Sequence, residues 1–580
     1  MKIITLHCDY IKFKPLKKAI KNPEELKDMA EKMAKDPLVV LTSIEKGDDD
    51  KTIKELVEAI KKTAGEVKAK TIVLYPYAHL SSNLSDPTTA LEYLVEAEHT
   101  LKKSGFDVLR APFGYYKEFE LKVKGHPLSE LSKEFRPDNA EDVKGEHKVI
   151  RIKESKEEDP KKLLAQLSRS KLDTSKLKEN DHRIIGQKLN LFSFNEASPG
   201  SVFWHPKGQI IFNELIKFSR DIQKDLGYLE VSTPLVFDNK LWKVSGHWDL
   251  YKENMFLTEY EGKSSALKPM NCPGHMLLYR ANPISYRDLP MRFSEYSALH
   301  RMELSGTLNG LFRVIRMHQD DAHIFVAEEQ LQDEISNVIN IFKTFLNKFG
   351  FTYTFTISIR SEEKKDKYLG DDKLWQSAEK ALEKALTALK IKFEKMPGEA
   401  KFYGPSLDVV IRDSLGREWQ CSTLQLDFNM PRRFELEYTD KENMKKTPIV
   451  LHRAVFGSLE RFIGVLLEHL NGALPLWLSP VQVRIVNFTD RNIKATEKTL
   501  EQLKEALPLL RIETDLRSTT VNDKIRDAEM QKIPYTLVIG DKEEESKTIA
   551  VRERGASKPK FGVKLQDFIK EIKQKIEDRS

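Results

Sequence analysis

Cysteine is scarce: the 580 residues hold three, Cys8, Cys272 and Cys421. So few, so widely spaced, exclude a disulfide framework and point to a reducing compartment, the cytoplasm. No stretch approaches the roughly 18 uninterrupted apolar residues of a membrane helix. Met1-Lys2 runs directly into a strand-like segment, without the charged, apolar and small-residue pattern of a secretory signal. An excess of one charge is missing too. Against 89 acidic residues stand 95 basic ones, a net +6, too little over this length to mark a nucleic-acid binder by charge alone. Glycine (26) and proline (25) are too few for a collagen-like or low-complexity chain. What is there, 40% hydrophobic and 32% charged residues, suits three or four folded domains at about 150 residues each.

Patterning divides the chain into four regions. Residues 1–140 alternate strand-like runs (2–8, 38–41, 71–77 and Tyr115 to Val123) with helical spacing over 51–63 and 88–104, an α/β layer fold. Residues 141–183, with ESKEEDPKK at 154–162, read as a charged linker. Residues 184–475 combine helices at 207–226 and 327–349 with the strictly alternating strand 351–359, an α+β domain with an antiparallel sheet. Residues 476–580 read as a compact α/β module: strands at 481–488, 511–516, 535–540 and 548–553, helices at 495–507, 521–533 and 565–577.

The densest chemistry lies at 298–326. There Arg301, Glu303, Arg313, Arg316, His318, Gln319, Asp320, Asp321 and His323 surround a glycine-containing loop, 305–310. Guanidinium forks flanking such a loop suit a polyphosphate, and a solvated hairpin is the bland alternative. HRAVFGSLERF at 452–462 reads as a helix opening at His452 and carrying Arg461. Cys272 stands in KPMNCPGH, a Pro/Gly loop. One thiolate and two imidazoles, Cys272, His323 and His452, form a plausible zinc set with a fourth position open, although spacing alone cannot join three separate segments.

KPMNCPGH, the 300–325 stretch, KFYGPSLDVVIRD with WQCSTLQLDF, and LHRAVFGSLERF resemble, in order, the class II core of threonyl-tRNA synthetases. The resemblance runs from about residue 185 to the C-terminus, with motif 1 through 207–234, motif 2 carrying Arg301 and motif 3 carrying Arg461. It implies that Arg301 holds the ATP α-phosphate, Glu303 the adenine edge, and Arg313 and Arg461 the β- and γ-phosphates, with Mg²⁺. Gln425 and Thr423 contact nucleotide and magnesium in relatives. Gln319, Asp321, Thr423 and Tyr403 are implied around threonine, one Zn²⁺ per subunit on Cys272, His323 and His452, and His247 near the tRNA 3′ adenosine. Threonine, ATP, tRNA(Thr) and a homodimer are the implied partners.

HCDYIKF, YPYAHLSS, APFGYYK and KGHPLSEL resemble the archaeal editing domain, which is similar to D-aminoacyl-tRNA deacylases. This implies Lys18, His79, Tyr115 or Tyr116, and Glu130 at a pocket that hydrolyses seryl-tRNA(Thr). The last module resembles class IIa anticodon-binding domains, with Glu543 and Arg552 at base-contacting positions. Ser518 and Ser406 depart from bacterial forms, which often carry Asn and Lys there. The alternative is a catalytically inactive, synthetase-like RNA-binding regulator, which loss of Arg301, Arg461 or a zinc ligand would favour; all are present.

Overall fold

The computed structural model describes residues 1–20, 23–26, 28–81, 83–126, 128–135, 164, 177–361 and 368–580. Most of the 141–183 linker lies outside the described residues. The chain forms two compact units, Met1–Ile150 and Arg151–Ser580.

The first unit is built on β1 (Lys2–Lys18), far longer than the seven-residue strand expected there. β2 (Lys32–Lys35), β3 (Pro37–Ser43), α1 (Asp50–Val67), β4 (Thr71–Pro76), α2 (Pro87–Lys103), β5 (Asp107–Arg110), β6 (Tyr115–Val123) and β7 (Glu130–Glu134) follow. The sheet order is β2-β1-β3-β4-β5, with β6 and β7 also paired to β1. One half of β1 pairs β3 and β7, and the other pairs β2 and β6. Asp49 and Thr52 close a capping box on α1, and Asp86 caps α2 ahead of Pro87. Both helices bury their apolar stripes (Ile53, Leu56 and Ile60; Leu94, Ala97 and Leu101) with Leu38, Val40, Ile72 and Leu74 of β3 and β4.

After a short helix, His182–Lys188, the second unit is built from α3 (Pro206–Lys224), β8 (Tyr228–Glu230), α4 (Cys272–Arg280), β9 (Met291–Glu295), β10 (Ala298–His300) and β11 (Arg316–Val326), among other short elements. Next come α5 (Leu331–Lys348), β12 (Thr352–Ile359), α6 (Asp372–Ala388), β13 (Phe393–Pro397), β14 (Ser406–Arg412), β15 (Glu418–Asp427), β16 (Ile449–Ser458) and α7 (Leu459–His469). They make one nine-stranded sheet, β8-β9-β11-β16-β15-β14-β12-β13, with β10 on β11. Only the pairs β8/β9 and β12/β13 are parallel, which gives the mainly antiparallel core expected for this region. Helices α3, α5, α6 and α7 cover one face through Leu215, Phe342, Phe345, Leu382 and Phe462.

Two local readings are corrected. His452 lies inside β16, not at the opening of a helix: 449–456 is buried on both faces, and Gly457 at φ +66° turns the chain before Ser458 caps α7. Cys272 is the first residue of α4 rather than part of a loop, because Pro273 suits the first turn of a helix.

The last module holds β17 (Val483–Asn487), α8 (Ile493–Ala506), β18 (Ile512–Asp515), α9 (Val521–Met530), β19 (Tyr535–Ile539), β20 (Thr548–Glu553), β21 (Lys560–Lys564) and α10 (Leu565–Glu577). Its sheet order is β18-β17-β19-β20-β21, with β17 parallel to both β18 and β19. β21 was not anticipated; its residues are mostly exposed and carry little alternation.

Gly404, just before β14, brings backbone against backbone, since a Cβ there would lie 1.7 Å from the Leu426 carbonyl oxygen. Gly404→Ala is expected to lower stability by about 1–3 kcal/mol. A urea midpoint equal to wild type would show that this segment yields freely.

Candidate active site and metal centre

Antiparallel register assembles the site. His323 of β11 lies opposite His452 of β16, which lies opposite Gln425 of β15; Asp321 and Thr423 both oppose Ala454. Residues two apart share a face, so Gln319, Asp321 and His323 line up beside His452 and beside Thr423 and Gln425. They floor a cleft of about 420 Å³ that Cys272, Arg301, Lys401, Tyr403, Arg453 and Arg461 also line. Five separated segments thereby meet. Glu303 and Arg313 stand at the margin, outside the lining.

One ligand atom each of Cys272, His323 and His452 lies within 4.8 Å of the others. His323 Nε2 and His452 Nδ1 are 3.0 Å apart. Hydrogen-bond direction settles what they present. Glu295 is buried, yet hydrogen bonds from His275, Lys268 and the Thr233 N–H outweigh that burial and hold its carboxyl down at about 2. As a carboxylate it can only accept, so His275 Nε2, 3.0 Å away, donates. His275 Nδ1 then accepts from His323 Nδ1 at 2.8 Å, which leaves His323 Nε2 bare. Likewise His452 Nε2 donates to Asp427 at 3.0 Å and leaves Nδ1 bare. Two bare lone pairs face each other with no proton between them. Burial, then His452 and His275, drive the His323 pKa well down, while burial, then Asp321 and Asp427, drive Cys272 well up.

Such a set is unfavourable alone and suits a cation. Two nitrogens on one tetrahedral zinc lie roughly 3.3 Å apart for bonds of about 2.0–2.1 Å. The helix N-terminus at Cys272 favours the thiolate, and the carboxylate–histidine pairs supply the outer orientation such ligands need. The residues therefore fit zinc.

The opposite end of the cleft is cationic. Burial, then Arg313 and Arg301, push the Arg461 pKa down, and its Nε rests on the Phe312 carbonyl at 2.9 Å. Arg301 Nε donates to the Pro269 carbonyl at 3.3 Å. An arginine strained by like charges is a site prepared for an anion. Arg313 and Glu303 pair with each other at 2.7 Å, and Arg313 is 49% exposed, so this contact opens at little cost. Tyr403 stacks on His452 at 5.1 Å and hydrogen-bonds Gln425; Asn271 holds Asp321 at 3.1 Å.

Other expected residues sit elsewhere. His247 is fully buried behind Cys272, with Nε2 3.9 Å from Sγ and Nδ1 on Ser245 at 2.8 Å, and burial takes its pKa to about 4. His318 and Asp320, part of the 298–326 cluster, serve the framework: His318 pairs Glu460, and Asp320 pairs the buried Arg453 at 3.1 Å. In the first unit Lys18 pairs Tyr115 and Glu130 pairs Leu6, twelve residues apart along β1, so these two are not brought together there. Tyr115 donates to the Glu24 carbonyl at 3.0 Å, and Tyr116 is exposed. His79, on a 3₁₀ turn, meets Tyr77, which meets Tyr75. Lys117, unforeseen, joins that group 5.2 Å over Tyr75, its pKa lowered to about 8 by burial and its ammonium held by the Pro112 and Tyr115 carbonyls. Its place in FGYYK was the available signal. Glu543 caps its own helix through Gly540 N–H at 3.1 Å, and Arg552 pairs Glu529 at 2.9 Å. Ser406 donates to Asp408 at 2.8 Å, and Ser518 to Asp490 at 3.4 Å. His275, Glu295 and Asp427 were also missed, because nothing local links them to the ligands they orient.

Glu295→Gln is expected to weaken zinc binding about 10–100-fold, read by chelator competition. Because the folded Glu295 carboxyl sits below its ordinary 4.5, at about 2, its stabilisation is present above pH 4.5 and lost as pH falls towards 2. Acid unfolding of the variant should accordingly be shallower over that window, and identical curves would remove the role assigned to Glu295.

Three family profiles match in order. They are the Archaea-specific editing domain of threonyl-tRNA synthetase over residues 1–135, the tRNA synthetase class II core domain (G, H, P, S and T) over 256–470, and an anticodon binding domain over 482–575. A threonine–tRNA ligase of Desulforamulus reducens is 47% identical over 404 residues, 70% of this chain and 62% of that protein. The chain thus spans 62% of the length of this curated relative. The solved RNA binding domain of threonyl-tRNA synthetase from Cryptosporidium parvum Iowa II is 38% identical, with a TM-score of 0.65 over 68% of this chain and 98% of that one. Prolyl-tRNA synthetase from the same genus and species, at 14% identity and a TM-score of 0.54 over 73% and 80% of the two chains, shares the fold alone. The ordered profiles and the solved relative matched over nearly its whole length carry one conclusion: the chain belongs to the threonyl-tRNA synthetase family.

Proposed function

We propose that this chain is a threonine–tRNA ligase. It activates L-threonine with ATP to threonyl-adenylate, transfers threonine to tRNA(Thr), and hydrolyses mischarged seryl-tRNA(Thr) in its first unit. The observation that carries the reading is the meeting, in one cleft, of a Cys/His/His set with Arg301 and Arg461.

In this reading Arg301 neutralises the α-phosphate while the threonine carboxylate attacks phosphorus and pyrophosphate leaves. Arg461 and Arg313 grip the β- and γ-phosphates of ATP, which enters with Mg²⁺. Arg313 leaves Glu303 to do so, freeing that carboxylate for the adenine edge. Gln425 orients Tyr403 beside the threonine side, where Gln319, Asp321 and Thr423 offer polar partners. A zinc ion held by Cys272, His323 and His452 would supply, when bound, a Lewis-acid position for the threonine amino group and hydroxyl. A site built around that hydroxyl rejects valine by about 10⁴–10⁵-fold, whereas serine, short by a methyl, is disfavoured only about 10–200-fold. That leak is the reason for an editing unit. We assign Lys18, His79, Tyr115, Tyr116 and Glu130 to that unit, together with Lys117, with Lys18 and Glu130 at separate places along β1. His247, buried and neutral, steadies the Cys272 side of the cleft near the tRNA 3′ end.

Residues 1–140 are then the editing domain, 184–475 the catalytic domain and 476–580 the anticodon-binding domain, where Glu543 and Arg552 meet anticodon bases. The exposed apolar Leu229, Leu235, Val236, Leu277 and Leu278 beside motif 1 support a homodimer. No helix among the described residues is long and apolar enough to cross a membrane, in keeping with a cytoplasmic enzyme.

ATP–pyrophosphate exchange tests the ligase. Threonine should drive strong exchange, serine weaker exchange and valine none. Arg301→Ala should cost about 10²–10³-fold, and stripping the metal should abolish threonine-dependent exchange until zinc is restored. No exchange from folded, zinc-replete protein would overturn the reading. Editing is tested separately by hydrolysis of seryl-tRNA(Thr), which His79→Ala and Lys117→Ala should slow while exchange stays unchanged.

A further inference from the structure

Behind the loop that carries Arg313 lies a buried histidine–carboxylate pair for which the cleft has no direct use. His182 opens the short helix His182–Lys188 and is fully buried. Its backbone N–H donates to Glu468 Oε1 at 2.9 Å, and its ring Nδ1 meets the same oxygen at 2.7 Å. The other ring nitrogen, Nε2, receives the Leu311 N–H at 2.9 Å. A nitrogen that accepts carries no proton, so the ring proton sits on Nδ1 and donates to Glu468. Glu468 is buried, but His182 and Arg417 hold its carboxyl below the usual range, so the acceptor is a carboxylate. Asp181, His182 and Glu468 also bring three ligand-type atoms within 4.8 Å. Both ring nitrogens are already committed, so this cluster is no metal site.

What the pair holds is the loop. Gly310 sits at φ +50°, and a Cβ there would lie 2.2 Å from His182 Nε2. The next ring, Phe312, packs 4.2 Å from the imidazole, centroid to centroid. The Phe312 carbonyl in turn accepts from Arg461 Nε. Arg461 and Glu468 are seven residues apart on α7, two turns, and so share a face. Arg417, itself fixed by Asp413, braces the second Glu468 oxygen. The bonds close a ring: Glu468 to His182, His182 to Leu311, Phe312 to Arg461, and α7 back to Glu468.

We propose that His182 is a positioning residue for the nucleotide. By accepting the Leu311 N–H it sets the height of backbone 310–313, and through the Phe312 carbonyl it aims the Arg461 guanidinium into the cleft. This rests on the reading that the cleft takes ATP; threonine, at the Cys/His/His end, does not depend on it.

Two variants of the full chain separate the bonds. In His182→Asn the side-chain amide still donates to Glu468 but does not reach Leu311, leaving a buried N–H unpaired. In His182→Gln the amide oxygen extends to the Nε2 position and accepts from Leu311. Affinity for a non-hydrolysable ATP analogue and for threonine is measured by calorimetry on the zinc-loaded protein. His182→Asn should weaken the analogue about tenfold or more, leave threonine within about twofold, and be largely rescued by His182→Gln. In an Arg461→Ala background the Asn substitution should cost much less. Wild-type analogue binding by His182→Asn, or equal loss of both ligands, would overturn the positioning role. Failure of the wild-type chain to bind the analogue would instead overturn the ATP reading, and this inference with it.

Discussion

The register between Arg316–Val326 and Ile449–Ser458 is the constraint on which the second unit depends. Side chains alternate along a strand, so a slip of one residue would send His323 and His452 to opposite faces and Asp321 into the apolar core. Burial prevents the slip: Ile324, Val326, Leu451 and Val455 fill the helix-covered face and would have to enter the polar cleft in exchange. A register shift between Gln319 and Asp321 absorbs the one irregularity at the cleft edge. The buried Asp320–Arg453 pair adds a directional check, since Asp320 also accepts the Val455 and Phe456 N–H groups. Either charge left alone there would be severely destabilising.

On this frame the cleft sets two opposite electrostatic preparations a short distance apart. At one end neutral imidazoles turn bare lone pairs inward, His452 oriented from behind by Asp427 and His323 by His275, which Glu295 orients in turn, an arrangement that suits a cation. At the other end arginines crowd one another, with backbone carbonyls as their fixed partners, which suits an anion. Each end is uncomfortable alone, and both discomforts are relieved by ligands of the opposite sign. That is electrostatic preorganisation: the groups are aimed before the ligands arrive and need little rearrangement.

The first unit uses a different device. Its exposed histidine, His79, leads through Tyr77 and Tyr75 to Lys117, an ammonium held by carbonyl oxygens rather than by a carboxylate. Burial lowers its pKa towards neutrality, which is unusual for a lysine and costly to keep in a purely structural role.

Much of this was legible in the sequence, because the signals were local. The strict alternation of 351–359, helical spacing at 51–63 and 207–226, and the long strings around Cys272, Arg301 and Arg461 needed no tertiary information. Helices of the last module agreed within a few residues with Ile493–Ala506, Val521–Met530 and Leu565–Glu577. Where the sequence misled, context overrode local character. Residues 449–456 are buried on both faces, and only their position inside a covered sheet makes them a strand rather than a buried helix. Cross-strand pairing makes neighbours of His323 and His452, the packing of α4 on the sheet adds Cys272, and chain separations of 20 to 286 residues hide the partners of Glu295 and His182. The sequence by itself determined which groups exist and which faces they share along each element. The tertiary structure decided which of those groups meet and which nitrogen of each imidazole is bare, because hydrogen-bond direction is set by partners the chain brings in from elsewhere.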